Sequence, residues 1–406
     1  DNFTNTILST YGTEFYRKAT HGEGFIRGFF NVIKSATTGT GAALERLFIT
    51  GVSPVTMDDV TSGFNIGTNI TNDSWFNDLV GFSENELREM LEYYKEQGVL
   101  QESIDEIVAM MKPNYDNYCF SEDTLEQCMF NSDMALYFLK SFVLHHKKPK
   151  EIVDPNIRTD FNKLAYLIKL DHGLGENFSV IKEIAEQGEI ITDIVTHFSA
   201  LEMTDPSNFK SLLFYFGLLS IKGVDMVGRP ILHVPNLVVR EQLFNFLIQG
   251  YIKHDIFKID MNKMSALFEN MAFRGDWKPL FDFIANAVRE QSRIREYIEG
   301  EAHIKGFLLA YLGMYRYYQL YPEYELNKGF ADFFFKPSLS VPVLPPFTYL
   351  LEVKYAKAGA SEKEIRALAD EAREQLLRYG EDELVAEAKA KGELKLITIV
   401  WRSWEL

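Results

Sequence analysis

Residues 291–406 constrain the fold of this 406-residue chain most strongly, because strand-like and helix-like segments alternate there at short intervals. Three runs are rich in the aromatic and aliphatic residues that favour strands: 331–335, 349–355 and 394–401. Apolar residues at helical spacing between 304 and 312 precede the first run. Ser361 and Glu364 form a capping box, which starts a second helix that Gly380 ends. The order α-β-β-α-β predicts a mixed sheet flanked by helices.

The first 150 residues are typical of an α/β domain. Residues 46–50 have the composition of a strand, and Ser83 and Glu86 form a capping box that starts a helix. Two prolines and a run of lysines interrupt the pattern at 147–155, which predicts a linker. We therefore place one domain at 1–150.

The segment 151–290 is mostly helical in pattern and forms the predicted middle domain. Residues 212–219 are its most apolar stretch, and residues 231–234 are typical of a short strand. A helix, a strand and a turn at 221–223 are compatible with a winged-helix-like unit, and equally with a plain helical spacer. The chain is then a multidomain α/β protein whose last domain spans 291–406.

The composition excludes several classes of protein. Hydrophobic residues make up 46% of the chain and charged residues 25%, as in folded globular proteins rather than disordered ones. The longest apolar stretch, 212–221, is about half of the roughly 20 residues that cross a bilayer, so we expect no membrane span. Two cysteines are too few for a disulfide framework or a zinc site, which favours a reducing, cytoplasmic compartment. A net charge of −16 argues against a protein that coats nucleic acid.

Three charged residues of the last domain could carry metal chemistry. Glu352 and Lys354 lie two apart on one predicted strand, so they project from the same face. A hairpin-like return through the proline-rich segment would place Asp332 beside Glu352. Two carboxylates with the Val353 carbonyl suit Mg²⁺ or Mn²⁺, and the Lys354 ammonium could orient a water and stabilise charge on a phosphate. From spacing alone, a solvated ion pair beside a strand-entry aspartate is the commoner explanation of this pattern.

Longer stretches of the chain resemble a known family. Residues 323–332 and 349–355 are similar to the PD-(D/E)XK nuclease domain of bacterial AAA-ATPase-like proteins. Residues 46–71, 76–82 and 115–120 resemble that family's ATPase-like region. The resemblance covers nearly the whole chain, and it implies a partial AAA-like α/β domain followed by a PD-(D/E)XK domain.

The resemblance also implies a set of site residues. The implied catalytic residues are Asp332, Glu352, Lys354, Gln375 and Tyr379. The first two of them bind metal, and Glu301 is a supporting carboxylate, with Glu299 as the alternative. The last two lie four apart on one helical face, so both could face the site or belong to an ordinary polar stripe.

The nucleotide-binding motifs of that family are missing from the sequence. Neither the P-loop G-x-x-x-x-G-K-[ST], which cradles phosphates, nor the acidic Walker B strand occurs. The opening residues Asp1-Asn2-Phe3 resemble the segment just after the Walker B acid, so we expect either a fragment or a natural variant that has lost nucleotide binding. Thr50 resembles a sensor of the ATP γ-phosphate. We expect no ATP hydrolysis by this chain alone, and ATP as a cofactor only if an upstream P-loop is supplied.

Together these observations predict a nuclease that depends on Mg²⁺ or Mn²⁺ and hydrolyses phosphodiester bonds of nucleic acid; DNA is favoured over RNA, but no residue distinguishes the two. The alternative is a non-catalytic module that binds nucleic acid or protein on a nuclease fold, which the overall acidity favours. The sequence indicates no oligomeric state.

Overall fold

A computed structural model gives the fold as mixed α/β, in keeping with the predicted class. It describes residues 2–37, 41–51, 67–149, 152–154, 176–253, 259–290, 300–313, 315, 317–326, 329–338, 341, 343–357, 359–389 and 392–402. The chain divides into two compact units, the first with Asp1–Val180 and Glu189–Val239, the second with Ile181–Gly188 and Arg240–Leu406. These bounds differ from the boundaries placed near 150 and 290, and a three-domain organisation stays a prediction. Within the described residues no helix has the length and apolar character needed to cross a membrane.

The described helices up to residue 215 belong to the first unit, except that the helix containing Ile181 passes into the second. They are α1 (Asn2–Thr20), α2 (Phe25–Ala36), α3 (Glu84–Glu96), α4 (Ile104–Tyr115), α5 (Ser132–His145), α6 (Glu176–Gln187) and α7 (Pro206–Tyr215). The capping box predicted at the start of α3 is present, since Ser83 Oγ accepts from the Glu86 N–H and the Glu86 carboxylate accepts from the Ser83 N–H. The apolar faces of α3, α4 and α5 form one buried core.

Part of the predicted linker belongs to that core. Ile152 and Val153 are buried in it, and the Tyr115 hydroxyl donates to the Ile152 carbonyl at 2.8 Å. Burial of these two apolar side chains stabilises the segment against the unit, so it is not a solvated connector. Proline and lysine composition predicted the interruption of helix after α5 correctly, but not the packing that follows it.

The strand predicted at 46–50 is wrong. These residues have no regular structure, and Leu47, Phe48 and Ile49 are 41%, 63% and 42% exposed. An apolar run becomes a strand only when a neighbouring strand satisfies its backbone N–H and C=O groups. Among the described residues nearby no strand pairs with this segment. Most of the block 46–71 that carries the family resemblance lies outside the described residues.

A small antiparallel sheet follows α6 in the sequence. Its strands β1 (Glu189–Ile191), β2 (Ser220–Val224) and β3 (Pro230–His233) lie in the order β1-β3-β2. The strand predicted at 231–234 is confirmed with a shift of one residue. The small sheet shows that this stretch is not purely helical, and a winged-helix-like unit stays a prediction. However, residues 211–214 of α7 are all buried, so this helix does not present them as a surface for reading a nucleic-acid groove.

The second unit contains the larger sheet. Its helices are α8 (Leu237–Lys253), which begins at the end of the first unit, α9 (Met261–Arg274), α10 (Lys278–Glu290), α11 (Glu301–Leu312), α12 (Glu362–Tyr379) and α13 (Glu383–Lys389). Its strands are β4 (Tyr318–Leu326), β5 (Gly329–Pro337), β6 (Phe347–Ala356) and β7 (Glu393–Arg402), in the order β4-β5-β6-β7. The pairs β4/β5 and β5/β6 are antiparallel, and β6/β7 is parallel. The five predicted elements occur in the predicted order, with two additions, β4 before β5 and α13 before β7.

Strand β4 is an element that the sequence did not predict. Pro322 interrupts its apolar alternation and would remove a ladder hydrogen bond from a central strand. The strand tolerates this residue because it lies at the edge of the described sheet, with β5 on one side only. The edge position therefore explains why a proline-containing segment is a strand.

The two faces of the larger sheet are covered by different helices. Tyr349 of β6 faces α9, and its hydroxyl donates to the Met271 carbonyl at 2.6 Å. Its neighbour Leu350 packs on the opposite face with Leu376 and Tyr379 of α12. Because side chains alternate along a strand, every second residue of β6 after Leu350 also faces α12. Glu352 and Lys354 therefore lie on the α12 face.

Candidate active site

Antiparallel pairing of β5 with β6 brings two carboxylates together. The register pairs Phe333 with Leu351, so Asp332 and Glu352 lie one residue further along the two strands. Asp332 Oδ2 accepts a hydrogen bond of 2.6 Å from the Val353 N–H. Both acids are buried, with 4% and 3% of their surfaces exposed. The hairpin return predicted from the sequence thus places these carboxylates side by side.

Burial and mutual repulsion disfavour two charges at this position. The pKa of Glu352 is raised to about 7, first because the carboxyl is buried and second because Asp332 is close. Burial also raises the pKa of Asp332, against the opposing effect of a lysine, Lys305. Glu352 Oε1 receives a hydrogen bond from Lys354 Nζ at 3.2 Å, whereas Oε2 is buried with no hydrogen-bond partner among the described residues. A buried carboxylate oxygen without a partner is costly unless a cation or a proton occupies the position.

Lys354 lies between two acids. Its ammonium contacts Glu352 at 3.2 Å and Glu371 of α12 at 3.7 Å. Burial opposes the charged form, but the attraction of Glu352 and the other carboxylates outweighs it and raises the pKa of Lys354. Lys354 is therefore an ammonium at neutral pH in the metal-free protein, suited to donating hydrogen bonds rather than to accepting a proton.

Two further residues of the site were missed from the sequence. Lys305 of α11 pairs with Asp332 Oδ1, and its ammonium also lies 3.1 Å from both Glu301 and Glu323. Burial opposes its charge, yet the two neighbouring acids Asp332 and Glu323 raise the pKa of Lys305 overall. The i, i+4 spacing of Glu301 and Lys305 was a visible indication of a pair on one helix face. Glu301, predicted as a supporting carboxylate, reaches Asp332 through this lysine.

Glu323 is in an unusual backbone conformation. Its φ is +43°, in the left-handed region that a residue with a long side chain seldom adopts. The flanking pairs Pro322 with Phe333 and Tyr324 with Ala331 place it across β4 and β5 from Asp332. Strained residues of this kind are frequent at functional sites. Finding Glu323 from the sequence required β4 and its register, neither of which was predicted.

Gln375 and Tyr379 lie on the face of α12 that covers the site. Tyr379 is 4% exposed and packs in the buried cluster on β5 and β6. Burial, with a smaller effect of Glu352, raises its pKa. Gln375 lies one turn from both Glu371 and Tyr379, and its Oε1 is buried with no hydrogen-bond partner within the described structure. Tyr379 is therefore close to the carboxylates, Gln375 lies one turn away on the same helix, and the roles of both residues stay predictions.

The other predicted positions do not join this group. Thr50 is exposed in the irregular segment of the first unit, so it has no counterpart here. Glu299, the alternative to Glu301, lies outside the described residues.

The carboxylates of the site fit a hard divalent cation only as part of a larger ligand set. Nowhere in the described structure do three or more His, Cys, Asp and Glu side chains cluster so that they could hold a metal ion. Asp332 and Glu352 supply two carboxylates, and the free Glu352 Oε2 is an acceptor without a partner in the described chain. Mg²⁺ is commonly held by one or two carboxylates and keeps several waters. The donors present therefore fit such an ion with open positions for water and substrate.

Comparison with protein families agrees with this geometry. Residues 299–406 match the family model of the PD-(D/E)XK nuclease superfamily. The matched residues include every strand of the larger sheet. This segment of the chain is therefore similar to a PD-(D/E)XK nuclease superfamily domain. Residues 1–61 match the model described as predicted AAA-ATPase, so the predicted architecture is confirmed. Comparison with curated proteins and with solved structures gave no match. In this PD-(D/E)XK domain, the matched region contains both paired carboxylates and Lys354.

Proposed function

We propose that the PD-(D/E)XK domain hydrolyses phosphodiester bonds of nucleic acid with the help of Mg²⁺ or Mn²⁺. The observation that carries the proposal is the adjacent pair Asp332 and Glu352, with Lys354 on the same face and a buried, unpartnered Glu352 oxygen. PD-(D/E)XK membership supports nuclease activity in general. That the ion is Mg²⁺ or Mn²⁺ and that the substrate is DNA are part of our proposal.

Each residue has a role that suits its chemistry. Asp332 and Glu352 hold the cation, and the Val353 carbonyl is a further oxygen ligand, because the N–H and C=O of a strand residue point to the same edge. A bound divalent ion lowers the pKa of water and stabilises charge on a phosphate. The Lys354 ammonium donates hydrogen bonds that orient the attacking water or a phosphate oxygen. Gln375 would position the attacking water, because its buried Oε1 can accept a hydrogen bond from a water O–H.

Lys305 has a different role from Lys354. In the metal-free protein it balances the charge of Asp332, and a cation held by Asp332 would compete with it for Oδ1. Glu301 and Glu323 then retain the ammonium, since each lies 3.1 Å from it. The lysine thus keeps the acidic site stable until a cation replaces its contact with Asp332.

The test incubates the full chain with plasmid, single-stranded DNA and RNA, each in Mg²⁺, Mn²⁺ or EDTA. We expect cation-dependent cleavage that Asp332→Asn, Glu352→Gln and Lys354→Met each reduce at least about a hundredfold. Asp282→Asn and Lys278→Met are matched controls, because both residues are exposed on α10, and these should cleave like the unchanged protein.

The same experiment distinguishes the nuclease from the non-catalytic binding module. A folded protein that binds no Mn²⁺ and cleaves none of the three substrates overturns the proposal and favours the non-catalytic binding module, which the net charge of −16 also favours. Cleavage that persists equally in all three site variants overturns the assignment of this site. Cleavage of RNA alone overturns the choice of DNA.

A further inference from the structure

The two cysteines of the sequence lie opposite each other on a pair of antiparallel segments in the first unit. The Tyr118 N–H donates to the Met129 carbonyl at 3.1 Å, and the Met129 N–H donates to the Tyr118 carbonyl at 2.8 Å. This exchange of two hydrogen bonds makes Tyr118 and Met129 a hydrogen-bonded pair. The next pair along the segments, Cys119 with Cys128, is then a non-hydrogen-bonded pair, in which side chains approach most closely.

The two thiols are close enough to interact. The Cys128 thiol interacts with the Cys119 sulfur, and this interaction lowers the pKa of Cys119 to about 7 while raising that of Cys128. Each thiol also contacts a backbone carbonyl, that of Ser121 at 3.1 Å for Cys119 and that of Leu125 at 3.4 Å for Cys128. Cys119 is buried, whereas Cys128 is partly exposed. One sulfur of the pair can therefore be reached from solvent.

We propose that Cys119 and Cys128 are a redox modification site that forms a reversible disulfide. Non-hydrogen-bonded pairs have Cα atoms about 4.5 Å apart, which falls within the range of about 4.4–6.8 Å that disulfides require. The backbone therefore needs little movement to allow the bond. In the reducing compartment that the sequence predicts, a disulfide is usually transient and serves redox sensing, so we expect this bond to be reversible.

A small-molecule disulfide such as oxidised glutathione is the oxidant that forms the Cys119–Cys128 bond. The Cys128 thiol passes its proton to the Cys119 thiolate, the exposed Cys128 sulfur attacks one sulfur of glutathione disulfide, and the glutathione thiolate that leaves takes the proton from Cys119. The Cys119 thiolate then attacks the Cys128 sulfur of the mixed disulfide and releases the second molecule of reduced glutathione. Two electrons pass from the protein to the small disulfide, and the two thiol protons end on the two glutathione molecules.

The loop closed by this bond holds other parts of the first unit in place. The Cys119 N–H donates to Ser220 Oγ at 2.7 Å, and the Cys119 carbonyl accepts from the Ile221 N–H at 3.3 Å, which attaches the loop to β2. The Asn77 side-chain amide donates to the Gln127 carbonyl at 2.9 Å. Oxidation therefore fixes a loop that contacts both β2 and the segment around residue 77, and it should stabilise the first unit.

The experiment equilibrates the full chain in buffers of reduced and oxidised glutathione, both folded and in urea, and then blocks remaining thiols by alkylation before mass spectrometry. We expect both cysteines to lose alkylation together, with a peptide that contains the Cys119–Cys128 crosslink. We also expect the folded chain to form this bond at a glutathione disulfide level at least about tenfold lower than the urea-unfolded chain, because folding holds the thiols together. The oxidised protein should melt at a higher temperature.

Single variants make the result unambiguous. Cys119→Ser should give only a glutathione adduct on Cys128, and Cys128→Ser should gain no thermal stability in the oxidising buffer. The proposal is overturned if the folded chain forms only glutathione adducts, if it forms disulfides between chains, or if it oxidises no more readily than the chain in urea. None of these results depends on nuclease activity.

Discussion

At the residue scale, the site is defined by two buried carboxylates that lie side by side. Asp332 and Glu352 share one face of the sheet, and each is compensated by a different lysine, Lys305 and Lys354. Removing one member of such a buried pair leaves an uncompensated charge, which costs far more than the loss of a surface ion pair. The cation affinity and the pH dependence of the metal-free protein should both reflect this arrangement.

The first prediction concerns pH. In the metal-free protein Glu352 titrates at a pKa of about 7 instead of its ordinary 4.5, so below about pH 7 a cation must displace a proton. We expect Mn²⁺ affinity to rise by up to about tenfold per pH unit below that pKa and to level off above it. Isothermal titration calorimetry between about pH 5.5 and 8 measures this. Glu352→Gln should bind weakly at every pH, and a flat profile in the unchanged protein contradicts the prediction.

The same shift affects stability. Between pH 4.5 and about 7 the folded state holds a proton on Glu352 that the unfolded chain has released. This group therefore makes the free energy of unfolding fall as pH rises through that window. Comparison of urea unfolding of the unchanged protein with that of Glu352→Gln isolates the effect, because the variant lacks the titrating group. Equal pH dependence in the two proteins is the result that contradicts it.

The second prediction concerns Lys305. The substitution Lys305→Met keeps the length of the side chain but leaves the buried Asp332 without its cation, so the metal-free protein should lose about 3 kcal/mol of stability. Mn²⁺ should then bind more tightly and restore most of this loss. Melting temperatures with and without Mn²⁺ measure both effects. Lys222→Met is the control, since Lys222 pairs with Glu189 at an exposed position and its loss should cost under about 1 kcal/mol.

At the element scale, the close packing of α12 on the start of β5 keeps the helix near the two carboxylates. A methyl group on Gly329 would overlap the Tyr379 hydroxyl and lie 3.1 Å from two ring carbons. Tyr379 in turn belongs to the cluster that joins α12 to β5 and β6. The absence of a side chain at Gly329 thus allows the helix to approach the sheet, which brings Glu371 and Gln375 over the site.

The third prediction tests this packing. Gly329→Ala should cost about 1–3 kcal/mol of stability, because an added methylene group in a packed core forces its neighbours to move. In a Tyr379→Phe background the cost should be smaller, since the overlapping oxygen is gone. A double-mutant cycle by urea unfolding measures the coupling. Gly359→Ala is the control, as nothing lies within 4 Å of its added carbon. Equal costs in both backgrounds contradict the argument.

At the scale of the whole molecule, the described site residues belong to the second unit alone. The carboxylates lie on β5 and β6, and their partners lie on α11, β4 and α12. The redox site lies in the first unit, on the loop that contacts β2. The two proposals therefore concern separate compact units.

The fourth prediction follows from this separation. Saturating Mn²⁺ should slow hydrogen exchange of amides in β5, β6 and α11, because it stabilises the state in which the carboxylates are ionised and held. Amides of β2 and β3 should be unaffected by Mn²⁺ but protected by oxidised glutathione. Hydrogen exchange with mass spectrometry on the full chain measures both. Protection by Mn²⁺ in the first unit would show that the units respond together.

The sequence alone determined the features that depend on neighbours a few residues apart. Helix caps at Ser83 and Ser361, the three strands β5 to β7 and the common face of Glu352 and Lys354 follow from local periodicity and capping chemistry. The hairpin-like return through the proline-rich segment predicted that Asp332 lies beside Glu352, and the family resemblance implied that these residues are catalytic.

Tertiary structure decided whatever depends on pairing between distant segments. Residues 46–50 have strand composition but no described partner strand, whereas Pro322 lies in a strand because the sheet edge tolerates it. Lys305 and Glu323 enter the site only through helix packing and the register of β4 with β5. Cys119 and Cys128 meet because two irregular segments pair at Tyr118 and Met129. Such contacts depend on long-range register, which periodicity within a single segment does not encode.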